Sequence, residues 1–211
     1  MVAFRQPSIL AVAAAVARGP GVDQARRHRY MPDMNSTVET LPILVVPDPI
    51  LKARARPVGP SDMEQVRKLV PRMFATMYRA PGIGLAAPQV GVGLRFAVVD
   101  LMQDEKSSPI VLVNPEVMAR SQEEATREEG CLSLPGQYAD VTRPARVTVR
   151  YIDAEGAKRQ IDAEGLLAAC LQHEIDHLDG ILFVDHLSAL KRNMILRRLA
   201  KELRQKRTEA M

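Results

Sequence analysis

The sequence predicts an α+β domain, in which mixed or antiparallel β-sheets surround a central metal-binding helix and a basic helix follows at the C-terminus. Strand-like segments lie at 94–101, 110–113 and 145–152, in the middle of the 211-residue chain. Segments with helical periodicity precede and follow them, and no internal repeat is present. The second helical segment contains QHEIDHLDG at 172–180, where two histidines recur at helical spacing.

Residues 1–40 predict an N-terminal extension that is either disordered or a targeting segment. They contain the nine-residue apolar run ILAVAAAVA and no acidic residue before Asp23. Alternatively, translation starts at Met31 or Met34, and the upstream stretch has no role. We expect a cytoplasmic location, with a mitochondrial or plastid matrix as the alternative if the extension is a transit peptide.

The formal net charge of +4 is unevenly distributed along the chain. Residues 41–186 carry 16 basic and 20 acidic groups, whereas residues 187–211 carry eight basic and two acidic groups. The body is therefore mildly acidic, which argues against a nucleic-acid-binding core. No apolar stretch reaches the roughly 18 to 20 residues that a membrane-spanning helix needs, so we expect no membrane span. The two cysteines predict reduced thiols rather than a disulfide.

The body begins with a predicted strand and a predicted helix. Leu41 to Val46 is a short apolar run, closed by the prolines of P-D-P at 47–49. A helix is predicted from Ser61, because Ser61 and Glu64 match a capping box and apolar residues follow at helical spacing. Pro71 predicts a kink in that helix.

A strand and two further helices complete the predicted elements. Residues 145–152 alternate apolar and polar side chains, as a half-exposed strand does. Glu164 to Leu178 then has helical periodicity, and a final helix of about twenty residues is predicted from Leu187 or Ser188.

The helix at 164–178 carries the strongest chemical signal in the chain. His173 and His177 lie four residues apart and continue an apolar stripe with Leu166 and Cys170, so both imidazoles are predicted to face the interior. They are candidate metal ligands, and Glu174 between them is a candidate general base. The alternative is a pair of core histidines satisfied by backbone or carboxylate partners.

A catalytic metal usually takes three protein ligands, so a third ligand is needed. The metzincin pattern is excluded, because Phe183 stands where its last histidine would be. Among acids downstream, Glu202 is a weak candidate within a basic segment. Cys131, in E-E-G-C-L-S-L-P, offers a thiolate that zinc or iron would bind, although an inert buried thiol is the alternative reading of Cys131 taken alone.

The uncharged segment GIGLAAPQVG at 82–91 adds a third candidate site element. Its glycines allow a backbone to approach a ligand closely, and the Gln89 amide can donate a hydrogen bond to an oxyanion. The chain has neither G-K-[ST] nor a G-x-G-x-x-G that enters a helix, so we expect no nucleotide cofactor.

Three segments in order, GIGLAAPQ at 82–89, EGCLS at 129–133 and QHEIDHL at 172–178, resemble the signature motifs of the peptide deformylases. The resemblance covers about residues 41–186, which are expected to form the catalytic domain. It implies removal of the N-formyl group from the initiator methionine of nascent polypeptides, with release of formate. The implied cofactor is one divalent metal ion, natively Fe²⁺ and replaceable by Zn²⁺, Ni²⁺ or Co²⁺. A ferrous thiolate site predicts loss of activity in air.

The resemblance also implies roles for individual residues. The implied metal ligands are Cys131, His173 and His177. The implied catalytic residues are Glu174 as general base, and Gln89 and the backbone N–H of Leu132 as oxyanion donors. The implied methionine pocket is formed by Ile83, Gly84, Leu132, Leu166 and Ala169. Plain core packing is the alternative for each pocket residue. Glu129 and Arg143 match a pair that supports the cysteine-bearing strand. Tyr138 departs from an arginine in well-known relatives, which leaves recognition beyond the first residue open.

The segment 187–211 predicts a basic helix with one apolar side. Bacterial deformylases are similar in docking such a helix near the ribosomal tunnel exit, whereas a merely solvated face is the alternative. Two rival functions also remain open: a metal-dependent endopeptidase, and a non-catalytic protein with a closed four-ligand metal site, for which His186 is a weak fourth ligand.

Overall fold

The computed structural model describes residues 38–102 and 107–209, and the predicted N-terminal extension lies almost entirely outside these residues. Within them the chain forms seven strands and three α-helices, which we number in chain order. The strands are β1 Gly84–Ala86, β2 Phe96–Val99, β3 Ile110–Arg120, β4 Glu124–Cys131, β5 Leu134–Pro144, β6 Arg146–Ile152 and β7 Lys158–Glu164. The helices are α1 Met63–Arg79, α2 Gly165–Leu178 and α3 Ala189–Glu209.

The strands form two antiparallel sheets. Five of them pair in the order β1-β2-β3-β6-β7, and β4 pairs with β5 in a separate two-stranded sheet. The fold is thus a mixture of helices and antiparallel sheets, as the α+β prediction requires.

Alternate residues of the central strands face two different cores. Phe96 and Val98 of β2 pack with α1, whereas Val99 of β2 and Leu112 of β3 pack with α2. Because successive side chains of a strand point to opposite faces, the five-stranded sheet separates the two helices. All four residues of β2 are buried, which explains why its sequence is a continuous apolar run.

The predicted strand at Leu41 to Val46 is wrong. Leu44 N donates to Gln89 O at 2.8 Å and Val46 N donates to Ser133 O at 3.1 Å, so this segment is not part of a sheet. It crosses between the Gln89 loop and the turn after Cys131, and an apolar run of six residues cannot distinguish this role from a strand.

Helix α1 begins differently from the prediction. A 3₁₀ turn at Pro60–Asp62 precedes it, and its N-cap is Asp62 rather than the predicted Ser61. Asp62 Oδ2 accepts from Gly59 N at 2.8 Å, within the preceding turn. Glu64 pairs instead with Lys68 at 2.6 Å on the helix surface. Pro71 lies within the helix, which extends from Met63 to Arg79.

Helix α3 packs on the two-stranded sheet rather than projecting from the body. Leu199 is 2% exposed and lies in one apolar cluster with Leu134 and Val141 of β5. Glu202 of α3 accepts a hydrogen bond from Gln137 of β5 at 2.9 Å. None of the helices in the described ranges is long and apolar enough to cross a bilayer.

Candidate metal centre

Helix α2 presents both histidines to one point next to the end of strand β4. Ligand atoms of Cys131, His173 and His177 all lie within 4.8 Å of one another, and Cys131 Sγ is 3.2 Å from His177 Nε2. The i and i+4 spacing aligns the two imidazoles on one face of the helix, where their ring centroids are 5.0 Å apart. The stripe does not extend to Leu166, which is 39% exposed in the first turn of α2.

Strand β4 delivers Cys131 through a local irregularity. The pairing register of β4 with β5 shifts between Gly130, opposite Tyr138, and Cys131, opposite Leu134. Such a shift reorients a side chain relative to the strand. The turn residue Ser133 donates its backbone N–H to Cys131 Sγ at 3.4 Å.

The ring of His173 is held by a buried ion pair. Its Nδ1 lies 2.9 Å from Glu129 Oε2, and Arg143 binds both oxygens of Glu129 at 2.6 and 3.0 Å. Burial alone would raise the pKa of Glu129, but hydrogen bonds from His173 and Arg143 lower it to about 2. With Nδ1 engaged, Nε2 is the nitrogen of His173 that remains for a metal.

The two histidines differ in their affinity for a proton. Burial acts to lower the pKa of His173, yet its hydrogen bonds with Cys131 and Glu129 raise that pKa to about 10. For His177, burial lowers the pKa well below its usual range. A neutral His177 can bind a metal directly. His173 would have to release a proton before a cation binds its free ring nitrogen.

Glu174 is 3% exposed and its Oε2 has no hydrogen-bond partner among the described groups. Burial raises the pKa of this carboxyl to about 7. Gly84 of β1 makes room for it, because a Cβ added there would collide with Glu174 Oε1. Glu174 is therefore a buried carboxyl beside the two histidines, and Gly84 leaves the space that this carboxyl occupies.

Gln89 lies in a 3₁₀ turn, Ala87–Val90, and its amide has a fixed orientation. Its Oε1 accepts from Ala86 N at 2.8 Å, so Nε2 is the end directed towards Ser133 Oγ at 3.3 Å and Cys131 Sγ at 3.5 Å. The amide is thus anchored beside the thiol, with its N–H groups directed towards Cys131 and Ser133. Leu132 follows Cys131 directly in the turn, and its role as an oxyanion donor stays a prediction.

The remaining predicted pocket residues lie in different surroundings. Ala169 lines a small cleft of about 10 Å³, which Glu129, Arg143 and Gly165 also line. Ile83 packs in the core cluster of α2, and Leu132 packs against the core cluster of α1. Their role as a methionine pocket stays a prediction.

Two residues of the centre received no role from the sequence. Asp176 lies on α2 between the histidines and binds Arg143 at 2.7 Å, and Ser133 contacts the Gln89 amide. Asp176 has a sequence signal, because a carboxylate three residues after an inward histidine on a helix lies near the same face. Ser133 has none, since its contact depends on two distant segments.

The geometry and donor set of this centre fit a divalent metal. One thiolate and two imidazoles are ligands that zinc and iron accept, and three protein ligands leave room for further coordination. The polypeptide deformylase family model matches residues 40–193. The chain belongs to the polypeptide deformylase family.

Known deformylases support this assignment over most of the chain. The peptide deformylase of Rhizobium meliloti is 48% identical over 171 residues, covering 81% of this chain and 98% of the relative. The crystal structure of a peptide deformylase from Legionella pneumophila superposes with a TM-score of 0.73 at 50% identity and covers 79% of this chain and 97% of that one. The Ehrlichia chaffeensis enzyme in complex with actinonin gives a TM-score of 0.74 at 40% identity, covering 78% and 98%. This deformylase therefore shares family and fold with these enzymes.

Proposed function

We propose that this deformylase removes the formyl group from N-formyl-methionyl nascent peptides with one divalent cation held by Cys131, His173 and His177. This proposal rests on the convergence of three potential ligand atoms within 4.8 Å, beside a buried carboxylate oxygen that has no hydrogen-bond partner among the described residues. When bound, the cation would act as a Lewis acid that polarises the formyl carbonyl and acidifies water.

The residues around the cation would manage protons and charge. Burial raises the pKa of Glu174 to about 7. This carboxylate is therefore suited to accept a proton from water and return it to the departing amine near neutral pH. The Gln89 amide and the Leu132 backbone N–H would stabilise negative charge on the formyl oxygen. Ile83, Gly84, Leu132, Leu166 and Ala169 are proposed to border the methionine site.

The thiolate favours a metal with affinity for sulfur, and we propose Fe²⁺ as the native ion, with Zn²⁺, Ni²⁺ or Co²⁺ as replacements. Neither cysteine forms a disulfide, which agrees with the reducing cytoplasm that we propose as the compartment. Helix α3 presents exposed Lys191, Arg197 and Lys201, and we propose that it docks on the ribosome near the tunnel exit.

The decisive experiment measures formate release from a formyl-methionyl peptide by Fe²⁺-loaded protein under anaerobic conditions. Glu174→Gln keeps the shape of the side chain and removes the base, so we expect formate release to fall by about 10² to 10⁴ while metal content is unchanged. Wild-type protein that carries metal but releases no formate, or that cuts internal bonds of unformylated peptides, would contradict the proposal.

Actinonin provides a second test. The Ehrlichia chaffeensis relative binds it, so we expect it to bind here and to compete with the formyl-methionyl peptide. Isothermal titration with metal-loaded protein measures this binding. Absence of competition would indicate a substrate site different from that of the relative.

A further inference from the structure

A continuous chain of hydrogen bonds connects His173 to the protein surface. Behind the His173–Glu129–Arg143 contacts, Arg143 Nη1 donates to Asp176 Oδ2 at 2.7 Å, and His186 Nε2 lies 2.7 Å from the same oxygen. The side chains of Glu129 and Arg143 are 8% and 6% exposed, whereas that of His186 is 33% exposed. His186 is thus the solvent-facing end of a path that begins at a proposed metal ligand.

The direction of the last hydrogen bond follows from its neighbours. His186 Nε2 is also 3.5 Å from Arg143 Nη1, but a guanidinium can only donate. If Nε2 accepted from Arg143, its lone pair would face the Asp176 carboxylate at 2.7 Å, which is repulsive. Nε2–H therefore donates to Asp176, whose Oδ2 receives donors from both Arg143 and His186.

This shared oxygen fixes Arg143 between two carboxylates. Glu129 and Asp176 together carry two negative charges against one guanidinium, so the network has an excess of acceptors in a largely buried place. A second donor to Asp176 satisfies part of that excess, and buried polar groups are costly when left without partners. Without His186, Asp176 keeps one of its two side-chain donors.

The metal centre relies on this network on one side only. Glu129 sets the ring orientation of His173, whereas no described group lies within hydrogen-bond reach of His177 Nδ1. Outer partners of ligand histidines fix the tautomer and the ring orientation. The Glu129 side therefore has more influence on ligand geometry than the His177 side.

The segment that carries His186 contacts the centre a second time. His186 ends the 3₁₀ turn Phe183–His186, and the Phe183 ring stacks on His173 with centroids 6.5 Å apart and an interplanar angle of 19°. Lys52 anchors the same turn from outside through Asp185 at 2.5 Å. This turn lies just before α3.

We propose that His186 is a positioning residue for the metal centre, which holds Asp176 and Arg143 so that Glu129 presents His173 in its ligating orientation. The inference rests on the proposed function, because it concerns the same metal ligands. It assigns to the turn before α3 a part in metal retention, in addition to its packing.

The test compares His186→Ala, His186→Gln and Lys52→Ala in the Co²⁺-loaded full-length protein. For His186→Ala we expect Co²⁺ to dissociate about 3- to 10-fold faster into a chelator, less than the 10- to 100-fold typical of partners that touch a ligand directly. The Co²⁺ absorption bands should shift, and kcat should fall with KM unchanged. His186→Gln keeps an N–H donor and should restore most of the wild-type values.

Lys52→Ala is the matched control, because it loosens the same turn from outside without touching Asp176. We expect it to leave the Co²⁺ spectrum and dissociation rate unchanged. Equal effects of Lys52→Ala and His186→Ala would overturn the proposal, since packing of the turn would then explain both.

The outcomes separate the inference from the proposed function. Wild-type protein that fails to give a Co²⁺ spectrum would overturn the proposed function and this inference with it. Wild-type protein that binds Co²⁺ normally, with His186→Ala indistinguishable from it, would overturn the inference alone. If His186→Ala does not fold, judged by circular dichroism, then His186→Gln decides: wild-type Co²⁺ retention supports the proposal and fast Co²⁺ loss overturns it.

Discussion

Gly84 shows how the absence of a side chain makes room for Glu174, the proposed general base. The carboxylate of Glu174, which is 3% exposed, occupies the space that a Cβ at Gly84 would fill. We expect Gly84→Ala to displace the carboxylate and lower kcat by at least about tenfold, while the three ligands keep their metal. Formate release and metal content measure the two effects separately.

Gly93 offers a matched control for that substitution, since a Cβ there meets no atom of residues 38–102 or 107–209 within 4 Å. We expect Gly93→Ala to retain wild-type kcat. If Gly84→Ala were equally active, close packing against Glu174 would have no bearing on catalysis.

Gln89 should affect catalysis without affecting metal retention, because its amide lies 3.5 Å from Cys131 Sγ but is not among the proposed ligands. Gln89→Leu keeps a side chain of similar size and removes the donor. We expect kcat to fall by about 10² to 10³. A fully active, metal-replete Gln89→Leu protein would exclude this amide from the mechanism.

Among the elements, the start of α1 has a pH-dependent anchor. Asp62 binds Arg56 at 2.7 Å and accepts from Gly59 N, and these contacts lower its pKa from 3.8 to about 2. A carboxyl whose pKa is lower in the folded state makes its full contribution to stability above its pKa in the unfolded chain. That contribution is lost as the pH falls towards 2. We expect Asp62→Asn to lower the melting temperature at pH 6, with a smaller deficit near pH 3.

Glu64→Gln is the control for this anchor, because the Glu64–Lys68 pair is exposed on both sides. Exposed helix pairs contribute only about 0.3 to 0.5 kcal/mol, so its melting temperature should hardly change. A deficit for Asp62→Asn that stayed constant between pH 6 and pH 3 would argue against the carboxylate as its source.

Helix α3 packs through the buried Leu199 and the partly buried Leu196 and Leu203, and much of the rest of the helix is solvated. Leu199 is 2% exposed, whereas Leu190 on the same helix is 71% exposed. We expect Leu199→Ala to lower the free energy of unfolding by about 2 to 5 kcal/mol, while Leu190→Ala changes it little. Urea unfolding of both variants measures the contrast, and similar losses for both would mean that α3 is not packed on β5.

For the whole molecule, the positive charge of α3 predicts a salt-dependent interaction with the ribosome. Removing the helix would also remove Leu199 from the core, so substitution of exposed cations is the cleaner test. A suitable variant reverses four exposed cations to glutamate: Lys191, Arg197, Lys201 and Arg204. We expect it to lose ribosome co-sedimentation at low salt while its kcat on a short free peptide is unchanged.

An equal change in net charge elsewhere provides the control. Lys68, Arg79, Arg120 and Lys158 are exposed cations outside α3, and we expect their reversal to glutamate to preserve co-sedimentation. Equal losses for both variants would point to non-specific attraction between the whole protein and ribosomal phosphate.

Local patterns in the sequence predicted what depends on neighbours along the chain. Helix α2 and the common face of His173 and His177 follow from a period of 3.6 residues. The apolar run of β2 and the alternation in β6 likewise predicted strands. The hairpin of β4 and β5 was not predicted, because half of the residues of β4 are polar and exposed, which masks a strand period.

Tertiary structure alone decided how distant segments meet. The sequence by itself determined three candidate ligand groups and their chemistry, because residue type and helical spacing are local properties. Cys131 contacts α2 across 42 or more positions of the chain, and Gly84 meets Glu174 across a still longer interval. The path from His186 to His173 includes the contact of Glu129 with His173, which lie 44 positions apart. Such contacts depend on how the sheets and helices pack, and no periodic pattern along one segment encodes the distance to another.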